Sequence, residues 1–129
     1  MTSRALVYGD IDLNLLDGSA IWLQSVTQAL ARAGCAVTLV LKAPVGTSRL
    51  IAPLLAEPGI TVRRPFEEHL LEGQGPLRPA AAIELLARLD AEQRHDLVVL
   101  RGRGDRLELI RRFGRHAGDG LRHIGQVRP

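Results

Sequence analysis

Short, wholly apolar runs alternate with longer amphipathic ones along this chain. Ala5-Leu6-Val7-Tyr8-Gly9 is apolar on both faces and ends in glycine, which predicts a buried strand. A loop rich in Asp and Asn follows, from Asp10 to Gly18. From about Ser19, the residues Trp22, Val26, Ala29, Leu30 and Ala33 recur at helical spacing and predict one apolar stripe. Gly34 is placed to stop that helix as a left-handed cap. Val37 to Leu41 predicts a second buried strand, Thr47 to Ala56 a short helix closed by Pro58-Gly59, and Ile60 to Arg63 a third strand. Pro65 to Pro79 is polar and broken by Gly73, Gly75 and Pro76, the pattern of a long, mobile excursion. Ala82, Leu85, Leu86 and Leu89 share one face of a helix over Ala80 to Arg94, and Leu97 to Leu100 is a fourth apolar strand. After the turn Gly102-Arg103-Gly104, Asp105 and Glu108 have capping-box spacing and open a helix to about His116. Gly118 and Gly120 end it, and Leu121 to Val127 predicts a last strand.

Strands that read as continuous apolar runs and alternate with helices predict a mainly parallel sheet covered on both sides. The expected fold is therefore α/β, a Rossmann-like three-layer αβα sandwich with about five strands. Its 129 residues are enough for a single domain spanning 1–129.

Composition narrows the function more than the fold. The only aromatic residues are Tyr8, Trp22, Phe66 and Phe113, so the core is aliphatic and base stacking on aromatic rings is disfavoured. A net charge of +3 is too weak to imply a nucleic-acid partner. Sixteen of the seventeen basic residues are arginine, Lys42 being the exception, a bias that GC-rich codon usage explains. Cys35 is the single cysteine, and no apolar run approaches the ~18 residues of a membrane span. With no leader pattern before the first strand, the expected location is the cytoplasm.

In an open parallel sheet, ligands bind beyond the carboxyl ends of the strands. The loop after the first strand lacks the glycine spacing of a dinucleotide fingerprint, the second strand ends at Lys42 rather than an acid, and no Walker A sequence exists. These absences disfavour nicotinamide and P-loop enzymes and imply no cofactor. Asp17-Gly18-Ser19 opens the first helix. Ser19 suits an N-cap there, and the free N–H groups of the first turn suit an anion, although plain capping accounts for the same residues. Asp10 and Asp12 match the acid pair of receiver domains in position, but the third strand ends in Arg63-Arg64 and no lysine follows Lys42, so they read as solvated loop acids. Arg101-Gly102-Arg103 lies on the same edge, where the planar guanidinium fork suits phosphate or carboxylate; a solvent-exposed turn is the alternative. Trp22 reads as core. His69, His95, His116 and His123 share no metal-ligand spacing with one another or with Cys35, and no catalytic cluster can be assigned. Arg106, Arg111, Arg112, Arg115 and His116 crowd the last predicted helix, where the helix dipole favours cations; peripheral contact with an anionic membrane is a minor alternative.

Leu6-Val7-Tyr8-Gly9-Asp10, followed by Asp17-Gly18-Ser19-Ala20-Ile21-Trp22, a helix ending in Ala33-Gly34, and later Asp96-Leu97-Val98-Val99-Leu100-Arg101-Gly102, resembles the N-terminal domain of GT-B fold glycosyltransferases, especially the large retaining group 1 family. The resemblance in order runs from about residue 4 to residue 128. It implies the acceptor-side half of a hexosyltransferase that moves a sugar from a nucleotide-sugar donor to an acceptor hydroxyl. Its first-loop role falls on Asp17, Gly18 and Ser19, and its cleft role on Arg101 and Gly102, with Arg103 beside them. The family's cleft histidine has no counterpart that can be placed. Its paired glutamates belong to a C-terminal donor-binding half that is missing here; Glu84 and Glu92 share the gap but lie along the helix before the fourth strand. The resemblance therefore implies a domain inactive alone, whose uncovered interdomain face favours self-association. The alternative is a non-enzymatic Rossmann-like module that binds a partner protein or an anionic surface.

Overall fold

The computed structural model describes residues 2–46, 49–101 and 123–126. β1 (Arg4–Tyr8) sits at the centre of a five-stranded sheet in the order β3-β2-β1-β4-β5, with β2 at Ala36–Val40, β3 at Ile60–Arg63, β4 at Leu97–Leu100 and β5 at His123–Gln126. Every strand pair is parallel. The helices are α1 (Gly18–Arg32), α2 (Ile51–Ala56) and α3 (Pro79–Glu92). This is a Rossmann-like α/β fold.

Side-chain alternation along the strands builds two cores. Ala5, Val7, Val37, Leu39 and Val99 face one way, against Ala20 and Leu23 of α1 and Ile51 and Leu54 of α2. Leu6, Tyr8, Val40, Val98 and Leu100 face the other, against Ala82, Leu85, Leu86 and Leu89 of α3. The expected apolar face of α3 is thus the observed one, with Ile83 added.

α1 differs from its predicted stripe. Its buried residues are Ala20, Leu23 and Thr27, whereas Trp22 and Val26 are half-buried and Ala29 and Ala33 exposed. Small Ala20 allows close approach to the sheet, and the Thr27 hydroxyl is satisfied by donating to Leu23 O at 2.6 Å. A threonine counted as polar therefore joins the core, and the stripe turns toward it. α2 is shorter than predicted; Thr47 and Ser48 lie outside the described residues, as do the expected helix at 105–116 and the ends of the last predicted strand.

The 65–79 segment folds back over the α3 side of the sheet. Phe66, Leu70 and Leu71 pack on that core, Leu77 is buried within it, and Leu77 N donates to Lys42 O at 2.7 Å. A cavity of about 370 Å³ remains there, lined by Phe66, Leu71, Gln74, Leu77, Arg78 and Ala81 among others.

Candidate functional site

The strand order reverses direction between β1 and β4, because the chain winds from β1 through β2 to β3 and then crosses back to β4. In open α/β sheets, ligands usually bind outside the carboxyl ends of the strands at such a reversal. Tyr8 pairs with Leu100 at the last register position, so Gly9 and Arg101 are the first residues beyond it. Arg101 N still donates to Tyr8 O at 3.3 Å.

The sheet divides this edge into two side-chain sets. On the α3 side, Tyr8 and Lys42 meet Asp10. Asp10 Oδ1 lies 3.2 Å from Lys42 Nζ and accepts from the Tyr8 hydroxyl at 3.4 Å. Asp10 is only 8% exposed, so it is a buried member of an ion pair and not a solvated loop acid as its position predicted. Its φ of 49° is a left-handed conformation that Asp tolerates better than most residues, and it turns the chain out of the strand. Asp12 does keep the loop role: its carboxylate accepts from the Asn14 N–H and side-chain amide. Among the described residues, no group of three or more His, Cys, Asp or Glu is arranged to hold a metal.

On the α1 side, Gly9 and Arg101 meet the helix. A Cβ at Gly9 would lie 3.0 Å from both Ile11 Cδ1 and Leu23 Cδ1, so glycine lets the chain pass close under α1. Val99 faces the α1 core and Leu100 the α3 core, so alternation sends Arg101 back to the α1 side. Its guanidinium carbon lies 4.8 Å from the ring centroid of Trp22. Trp22 is therefore more than the core residue expected; it is the platform of this arginine. Arg101 is 8% exposed, and its Nη1 is buried with no hydrogen-bond partner among the described residues. Arginine does not shed its proton, and burying an unpaired charge costs several kcal/mol even after relaxation, roughly. A cation–π contact returns only about 0.5–2 kcal/mol.

Asp17-Gly18-Ser19 does open α1, but the cap is Asp17, not Ser19. Asp17 Oδ1 accepts from Ala20 N at 2.9 Å, and Asp17 O accepts from Ile21 N at 3.0 Å. An extended Asp17 with a shorter side chain than Glu reaches the third residue of the helix naturally, which leaves Ser19 inside the first turn. Nothing lies within 4 Å of a Cβ built on Gly18, so open space adjoins this turn. Arg101 contacts α1 at Trp22, one turn beyond Gly18. Gly102 and Arg103 lie outside the described residues. Leu15, Leu16 and Ile21 around the same helix start are 59%, 63% and 48% exposed, an apolar fringe on the edge.

The sequence reading missed Lys42 and Tyr8 as partners of Asp10. The available signal was position: the only lysine lies two residues beyond β2, an acid lies two residues beyond β1, and neighbouring parallel strands bring such positions together. Searches of known proteins found no family model that matches this chain and no match among curated proteins or solved structures. No described helix is long and apolar enough to cross a membrane.

Proposed function

We propose that this chain is the acceptor-side, Rossmann-like domain of a GT-B-type sugar transferase, working with a second, donor-binding half. The observation that carries the reading is the β1/β4 switch point with an open, glycine-bearing first turn of α1 beside it. In this reading Asp17 fixes the turn, and Gly18 leaves room for a sugar or diphosphate to approach the backbone N–H groups there. Stabilisation of the departing diphosphate by such preorganised donors accelerates transfer to the acceptor hydroxyl. The exposed Leu15, Leu16 and Ile21 support an edge that another domain covers. The nucleotide-sugar site itself would belong to that second half.

Two measurements test the proposal. The 129-residue chain alone should turn over no nucleotide sugar, whereas the chain joined to a second βα domain encoded after Pro129 should transfer its sugar. Robust turnover by the chain alone, or a reading frame that stops at Pro129, defeats the proposal. In the joined protein, Gly18→Val should sharply lower turnover while the fold persists.

A further inference from the structure

We propose that Arg101, held against the face of Trp22, is the receptor for an oxyanion, a phosphoryl or carboxylate group, at the β1/β4 switch point. The inference shares with the proposed function the placement of the binding edge there, but not the chemistry of sugar transfer.

The argument starts from charge. A buried lysine or carboxylate can neutralise itself by moving a proton, but a guanidinium cannot, so a buried arginine needs an anion or a full set of acceptors. Arg101 has neither at Nη1 among the described residues. Among the described residues, the acids near this edge are engaged elsewhere. Asp10 pairs with Lys42 and accepts from Tyr8, Asp17 caps α1, and Asp12 closes the turn with Asn14. The Trp22 ring flanks the guanidinium without satisfying its N–H groups, since a ring face attracts the cation as a whole. Contact with the ring also restricts the guanidinium before any ligand arrives, which lowers the ordering cost of binding. The N-terminal turn of α1, one turn from Trp22, adds a favourable dipole for negative charge. A two-oxygen anion matches the fork of donors that a guanidinium presents.

Trp22 is the only tryptophan in the chain, so its emission reports on the Arg101 contact directly. The test titrates the chain with inorganic phosphate and pyrophosphate in one arm and with acetate and malonate in the other, holding ionic strength constant with chloride. The expected result is a saturable change in Trp22 emission together with a concentration-dependent rise in Tm. Arg101→Met should weaken the response about tenfold or more while remaining folded. A response confined to one arm supports the receptor and identifies the oxyanion as phosphoryl or carboxylate. No saturable response in either arm overturns it. Should Arg101→Met not fold, NMR of the unaltered chain decides: the Trp22 indole N–H and Arg101 side-chain signals must shift with a common Kd, and shifts that bypass both overturn the proposal. Oxyanion binding without sugar transfer by the joined protein defeats the transferase reading alone. Transfer without oxyanion binding defeats the receptor alone.

Discussion

Lys42 Nζ lies 3.2 Å from Asp10 Oδ1, and this ion pair ties the end of β2 to the end of β1. Both side chains are largely shielded, unlike the more exposed Arg63–Glu68 pair at the end of β3. Removing one partner of a shielded pair strands the other charge. Lys42→Met should therefore cost about 2 kcal/mol or more, whereas Arg63→Met should cost less than about 1 kcal/mol. Urea unfolding of the two variants checks the order, and equal losses would contradict it.

Gly9 and Gly18 occupy the same loop but answer to different constraints. Alanine at Gly9 forces Ile11 and Leu23 to give way, so Gly9→Ala should destabilise by about 1 kcal/mol or more. Gly18 has open space and no left-handed φ, so Gly18→Ala should leave stability unchanged or raise it by up to about 0.5 kcal/mol. Thermal unfolding of both variants compares them. A large loss for Gly18→Ala would show a steric role absent from this structure.

The helix cap assigns a stability difference to two adjacent polar residues. Asp17→Ala removes the acceptor for Ala20 N and should cost about 1 kcal/mol. Ser19→Ala leaves that cap intact and should cost clearly less. Chemical unfolding midpoints distinguish the two, and a larger loss at Ser19 would return the cap to that residue.

At the opposite edge of the sheet, buried Asp90 accepts from His95 N at 3.0 Å, and its Oδ1 also lies 3.0 Å from His95 Nδ1. This carboxylate fastens the end of α3 to the start of β4. Asp90→Ala leaves a buried backbone N–H without its acceptor and should cost about 1–3 kcal/mol. Asp90→Asn retains a carbonyl for that N–H and should lose less. Hydrogen exchange at His95 N offers the readout, with fast exchange expected in the alanine variant and slower exchange in the asparagine variant.

The elements of this fold were largely legible because their signals are local. Leu97-Val98-Val99-Leu100 is apolar at every position, as a strand covered on both faces must be, and Leu85, Leu86 and Leu89 reveal their common face by spacing alone. The face of α1 was less legible. Its stripe includes a threonine whose hydroxyl is satisfied within the helix, and hydrophobicity alone does not register that hydrogen bond. The site was legible as an edge but not as an arrangement. Arg101 stood out by its place after β4, yet its contact with Trp22 joins residues far apart in sequence.

The sequence by itself determined the alternation of buried strands and covering helices, and with it an α/β sheet, the kind of sheet in which ligands bind beyond the strands' carboxyl ends. Periodicity and turn chemistry suffice for that, because each acts over a few neighbouring residues. Only the tertiary structure decided which end meets which. The order β3-β2-β1-β4-β5 puts β1 between β2 and β4, so Asp10 meets Lys42 on one side of the sheet while Arg101 crosses to Trp22 on the other. Pairing between distant segments depends on the whole set of strand contacts and on the alternation of faces they impose, and no single stretch of sequence contains it.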